Sequence, residues 1–240
     1  MDEDSLADGQ IRWPQPPQHG AGPIGLCVPP WAYDDRHLGQ PIVPHLVAGP
    51  YHLVRNSKFL EQYRIEVVLC IRDPSELQFL RGRELAGIEF RFLDVPTDVF
   101  QTSILPHFAE ANGIIAGLVA AGRNVLVCCS DGIDKSSAFV AAYLMEAYAL
   151  RAQDAITFVQ NHRYCATPSI NGYRIKLAEY EPICAARAAA PAGEAMDTDA
   201  MNPLRRRAED DPETDAVHAA SFGGGPECRP IAAAHKRRVC

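Results

Sequence analysis

Cys129, Gly132, Lys135 and Ser136 stand at intervals of three, three and one along the stretch Cys129-Ser130-Asp131-Gly132-Ile133-Asp134-Lys135-Ser136. Before them lies the apolar run Val125-Leu126-Val127-Cys128. After them comes a segment with Phe139, Val140, Tyr143, Leu144 and Ala147 at helical spacing. The order reads as a buried strand, a tight loop and the first turn of a helix. A loop of that kind turns several backbone N–H groups toward one point and adds the helix dipole, so a thiolate and a dianionic phosphate are both stabilised there. Gly132 suits a backbone that must turn through positive φ without a Cβ facing the anion. The plainer reading is a structural loop, because a free cysteine is among the most buried residue types.

Two competing chemistries fail on spacing. Lys135-Ser136 resembles the end of a nucleotide-binding loop, but a glycine must precede the lysine and Asp134 stands there. Zinc would need a second cysteine or histidine pair at ligand spacing beside Cys128-Cys129, and none is found. No metal and no cofactor is called for.

The loop needs elements to hold it. The pattern predicts strands at Ile42–Leu46, Val67–Ile71, Ile88–Leu93 and Val125–Cys128. Helices are predicted at Ser57–Tyr63, Leu105–Leu118, Ser136–Leu150, Ala152–Asn161 and Gly172–Ala188. Such alternation implies an α/β fold with a mostly parallel central sheet and helices on both faces. Residues 1–30, with Pro14, Pro16, Pro17, Pro23, Pro29 and Pro30, are expected to form a disordered arm. Residues 31–187 form the domain. Residues 188–240, rich in alanine, glycine and charge, are expected to be a disordered tail.

The 240 residues carry a formal charge of −7 with 47% hydrophobic content. That is a globular composition, and it excludes a nucleic-acid protein, which needs a basic face. Eight cysteines scattered without framework spacing point to a reducing compartment. The acidic start Met1-Asp2-Glu3-Asp4 is unlike a signal or transit peptide, and no apolar run reaches membrane-spanning length. The basic runs Arg205-Arg206-Arg207 and Lys236-Arg237-Arg238 fit nuclear import or a merely solvated tail.

Around the loop, Trp31-Ala32-Tyr33, Gly49-Pro50-Tyr51, Leu69-Cys70-Ile71-Arg72, Leu93-Asp94 with Asp98, Ser137-Ala138-Phe139-Val140, Val159-Gln160, Arg163-Tyr164-Cys165, Pro168 and Glu179-Tyr180-Glu181 stand in a fixed order. With them the chain resembles the dual-specificity protein phosphatases, whose signature is Cys-x-x-Gly-x-x-Arg-Ser/Thr. Within that superfamily it is most similar to the serine/threonine/tyrosine-interacting group of pseudophosphatases. The resemblance implies the cysteine-dependent phosphatase fold, a nucleophile at Cys129, a general acid at Asp98 with Asp94 as the second choice, and a leaving-group hydroxyl at Ser136. It also implies a phosphate-binding loop of Ser130, Asp131, Gly132, Ile133, Asp134 and Lys135. As partners it implies phosphorylated proteins, with mitogen-activated protein kinases and ubiquitin-ligase adaptors as candidates, in cytoplasm and nucleus. Ser169-Ile170-Asn171-Gly172-Tyr173 is one residue longer than the family pattern.

The departures matter most. Lys135 replaces the arginine whose guanidinium grips two phosphoryl oxygens as a rigid fork, which an ammonium cannot imitate. Cys128 replaces the histidine that orders the loop. Asp131 and Asp134 add negative charge. Members of the resembled group typically lose the nucleophile, whereas this chain keeps it. The leading expectation is a pseudophosphatase that binds phosphoproteins or kinase-pathway partners. The rival is a slow protein tyrosine or dual-specificity phosphatase, and an enzyme for non-protein phosphates comes third because the loop is acidic. Cys128 reads as a core residue rather than a redox partner of Cys129. Arg163 and Arg72 read as fold braces or as phosphopeptide ligands.

Overall fold

The computed structural model describes residues 11–82, 85–96, 98, 103–169 and 172–189. Five strands, β1 (Gln40–Val43), β2 (Leu46–Pro50), β3 (Val67–Arg72), β4 (Glu89–Asp94) and β5 (Val125–Cys129), form one sheet in the order β1-β2-β5-β3-β4. Only β1 runs antiparallel. Five helices accompany them: α1 (Ser57–Gln62), α2 (Leu105–Ala120), α3 (Lys135–Tyr148), α4 (Ala152–His162) and α5 (Tyr173–Ala189).

The inner strands are apolar throughout except for Arg72 at the end of β3, because both faces are covered. Val67, Leu69, Ile71, Val125 and Val127 point into the larger core with α2, α3, α4 and α5. Val68, Cys70, Leu126 and Cys128 point the other way, toward Phe59 and Leu60 of α1. Helix α3 is buried all round from Ser136 to Met145, since it lies on the sheet with α2, α4 and α5 about it. Its N-terminus is thereby fixed at the C-terminal end of β5, in the middle of the sheet. No helix among the described residues is long and apolar enough to cross a membrane.

Two expectations are corrected. The run Ile42–Leu46 is not one strand: Pro44 and His45 turn the chain, with His45 at φ 67°, and a second strand follows. Pro44 has no N–H for a ladder and ends β1. Residues 11–30 are extended, as their prolines favour, but they are not unpacked. The Gly20 N–H donates to Tyr148 O at 2.8 Å. The Ile24 and Cys27 N–H groups donate to the side chains of Asp154 and Asn161 on α4, and Trp13 lies against His45 and Tyr63. Composition correctly excluded regular structure there, but it carries no information on acceptors supplied from 130 residues away. At the other end α5 runs through Ala189, and the tail from 190 onward lies outside the described residues. So do residues 170 and 171 of the lengthened stretch.

Candidate functional site

Cys129 ends β5 with its side chain 1% exposed. Its neighbour Cys128 points to the opposite face, as successive strand residues must, and is fully buried in the core beside Cys70. Burial, then its contact with Cys70, pushes the Cys128 thiol well up. The vicinal pair therefore faces apart, and Cys128 is a core residue.

The loop wraps the sulfur. The Gly132 N–H donates to Cys129 Sγ at 3.2 Å, Ser136 Oγ lies 3.3 Å away, and Asp131 Oδ1 lies at 3.4 Å. Gly132 has φ 71°. A Cβ built on it would meet the backbone of Gly49 and Pro50 at 2.5 Å. Conformation and close approach to β2 both require glycine there. Gly132→Ala is expected to cost about 2–3 kcal/mol, from left-handed strain plus displacement of β2. Urea unfolding would measure it, and a loss under about 0.5 kcal/mol, the range of a neutral surface change, would contradict this account.

Burial pushes the Cys129 thiol up, and the Asp131 carboxylate adds to that; the donors on Ser136 and Gly132 only partly offset it. The surroundings of Cys129 thus disfavour its thiolate, the form in which a cysteine is reactive. Asp131 is exposed, and its Oδ1 also accepts the Ile133 N–H at 2.9 Å. Asp134 precedes α3 but does not cap it: its carboxylate accepts the Ser169 N–H at 2.8 Å. Ser130 is exposed.

Lys135 turns to the segment behind β3. Its Nζ lies 2.9 Å from Asp73 Oδ2 and 2.5 Å from Glu76 Oε2. Asp73 and Glu76 are themselves fixed, since the Ser75 N–H donates to Asp73 and the Asp73 N–H to Glu76 around a short turn at Pro74–Glu76. Burial would raise the Asp73 carboxyl, but its bonds from Ser75 and Lys135 outweigh it and hold the group below the usual carboxylate range. Burial would lower the Lys135 ammonium, and its two carboxylate partners outweigh that and hold it above the usual lysine value. The clasp therefore stabilises the fold across the neutral range. Its Asp73 share is lost as pH falls through that depressed pKa, and its Lys135 share is lost as pH rises through the raised one. Asp73→Asn with Glu76→Gln is expected to cost about 1.5–3 kcal/mol at pH 7. Unfolding followed toward acid pH should show the gap to the native protein closing; a constant gap would refute the clasp.

These acids were not singled out from the sequence. Their signal was Asp73-Pro74-Ser75-Glu76, the spacing of a capping box directly behind a strand. The two arginines resolve as braces. Arg163 is 1% exposed and donates to Gly132 O at 2.9 Å, Leu38 O at 2.6 Å, Arg36 O at 2.9 Å and Gln40 Oε1. Arg72 pairs with Asp94 at 2.6 Å and lies over the Phe92 ring, which accounts for Asp94. Asp98 lies exposed in the segment between β4 and α2, and its assignment as the acid rests on that place in the chain.

The structure thus brings Cys129, Asp131, Gly132, Ile133 and Ser136 to one point and takes Lys135 and Asp134 to other partners. The Cys129 sulfur and the Ser136 hydroxyl lie side by side, and the lysine of the loop is directed to Asp73 and Glu76 instead.

A family model of the dual specificity phosphatase catalytic domain matches residues 48–183. Human serine/threonine/tyrosine-interacting protein is 33% identical over 159 residues, covering 65% of this chain and 70% of that protein. Mouse dual specificity protein phosphatase 22 is 27% identical over 141 residues, 58% of this chain and 72% of that one. The crystal structure of human tyrosine phosphatase-like serine/threonine/tyrosine-interacting protein matches with a TM-score of 0.55 at 33% identity, over 60% of this chain and 96% of that chain. Human DUSP28, at 22% identity and a TM-score of 0.53 over 68% and 98% of the two chains, shares the fold.

Proposed function

Because the chain belongs to the dual-specificity phosphatase family, we propose that it is a pseudophosphatase: a phosphatase-fold module that engages protein partners with little or no turnover. The observation that carries this reading is the pairing of Lys135 with Asp73 and Glu76. Phosphoryl transfer is catalysed almost entirely by positioning and by charge aimed at the transferring oxygens. An ammonium has three N–H bonds; here two carboxylates engage it, and no planar second edge is left for a phosphoryl group. The raised Cys129 thiol acts in the same direction.

The partners proposed are proteins of phosphorylation signalling, phosphorylated proteins among them. Mitogen-activated protein kinases and ubiquitin-ligase adaptors are the candidates brought by the family resemblance, with cytoplasm and nucleus as the proposed compartments. The second reading, a slow protein tyrosine or dual-specificity phosphatase using Cys129, Asp98 and Ser136, draws on the retained sulfur with its hydroxyl neighbour at 3.3 Å.

Turnover of p-nitrophenyl phosphate and of a phosphotyrosine peptide separates the two. The native protein and Cys129→Ser are expected to be indistinguishable. Turnover by the native protein that disappears in Cys129→Ser would establish the slow phosphatase instead.

A further inference from the structure

One charged group of the loop, Asp131, is turned toward the sulfur. Asp131 is exposed, yet its Oδ1 reaches inward to accept the Ile133 N–H at 2.9 Å and to lie 3.4 Å from Cys129 Sγ. We propose that Asp131 is the specificity-determining residue of this loop: its carboxylate sits where an oxyanion approaching Cys129 would sit, holds the Ile133 N–H, and excludes phosphoryl groups.

Geometry carries the proposal. A phosphorus atom within reach of Sγ needs its oxygens beside the sulfur and on the loop N–H groups. Of those donors, Gly132 N–H is turned to the sulfur and Ile133 N–H to Asp131. The charge of Arg163 reaches Asp131 and Cys129 from beneath the loop, but neither it nor Lys135 donates to the Asp131 carboxylate. Lys135 is held by Asp73 and Glu76, and Arg163 Nε donates to the far side of the loop at Gly132 O. The Asp131 charge also helps to hold the Cys129 thiol up, so one side chain weakens both the anion site and the nucleophile. The proposal rests on the pseudophosphatase reading and sharpens it: phosphorylated partners are met by surfaces outside the loop.

The test is tungstate binding by calorimetry to the full chain as native protein, Asp131→Asn, Asp131→Ala, Lys135→Arg and Asp131→Ala/Lys135→Arg. Both Asp131 variants are expected to bind tungstate at least about tenfold more tightly than the native protein, a gain of about 1.4 kcal/mol. The double variant is expected to bind more tightly than Lys135→Arg alone. No gain in either Asp131 variant, or Lys135→Arg alone matching the double variant, would overturn the proposal.

A second readout is the rate of Cys129 alkylation by iodoacetamide at pH 8. Asp131→Asn should raise it several-fold, with Cys129→Ser as the blank; an unchanged rate would count against the proposal. The groups facing the sulfur in that measurement are Asp131, Ser136 and the Gly132 N–H, with the charge of Arg163 farther out. Turnover by the native protein would remove the pseudophosphatase reading without altering these comparisons, so the two can fail separately.

Discussion

Lys135→Arg is expected to raise Cys129-dependent hydrolysis of an aryl phosphate by roughly 10²–10³, the range that restoring one oriented donor set produces at an oxyanion site. Position 135 is the first residue of α3 and reaches Asp73 and Glu76 across the loop mouth. A guanidinium has five N–H donors on two edges. One edge can stay on the Asp73 and Glu76 carboxylates while the other turns to the loop, which the ammonium cannot do. The acids that occupy the lysine would then orient the arginine.

With Asp131 still in place the gain should fall at the lower end of that range, and Asp131→Asn in the same chain should extend it. The measurement is the initial rate with p-nitrophenyl phosphate, with Cys129→Ser in each background as the blank. A Lys135→Arg variant that stays at its Cys129→Ser blank, even with Asp131→Asn, would show that the defect lies elsewhere, in Cys128 or in the acid.

Arg163→Met is expected to lower the unfolding free energy by about 3–5 kcal/mol, comparable to breaking a buried ionic contact. Arg163 is 1% exposed and has no salt-bridged carboxylate among the described residues; the charge is satisfied by carbonyl oxygens of Gly132, Leu38 and Arg36 and by the Gln40 side chain. Methionine fills much of the volume but leaves those acceptors unpaired, each unmet group costing about 1–3 kcal/mol if water cannot enter. Three separate pieces of chain meet at this one side chain: the segment before β1, the loop at Gly132 and the end of α4. Its loss should therefore loosen the loop as well as the fold. Urea unfolding measures the first, and faster Cys129 alkylation the second. A loss below about 1 kcal/mol, close to that of a typical point substitution, would mean that Arg163 does not brace the loop.

Much of the fold was legible before any coordinates. Val67–Ile71 and Val125–Cys128 read as strands because they are apolar at every position, and the helix after the loop read from its spacing. The hairpin at Pro44-His45 was missed because Ile42 to Leu46 is apolar enough to mask a two-residue turn. The extended N-terminal segment was misjudged for a different reason. Its backbone donors meet Asp154 and Asn161, and no local pattern announces a partner so distant in sequence.

The loop residues were legible as a set, because their order is dictated by a local geometry: a strand end, a positive-φ glycine and a helix start. Their partners were not. Nothing in Lys135 itself says that it meets Asp73 and Glu76, since that contact joins two strand ends that adjoin only in the sheet order β5-β3. Nothing in Asp131 says that its carboxylate turns inward over the sulfur rather than out to solvent.

By itself, then, the sequence determined the α/β architecture, the place of Cys129 at a helix N-terminus, and the absence of the arginine. Periodicity and short spacings are local, and the sequence states them directly. Only the tertiary structure decided where the charges of the loop go: Lys135 to an acidic clasp, Asp134 to Ser169, Asp131 to the sulfur and Arg163 to the backbone beneath. Those pairings depend on distances between segments far apart in the chain, and electrostatic energy follows distance and burial, not sequence order.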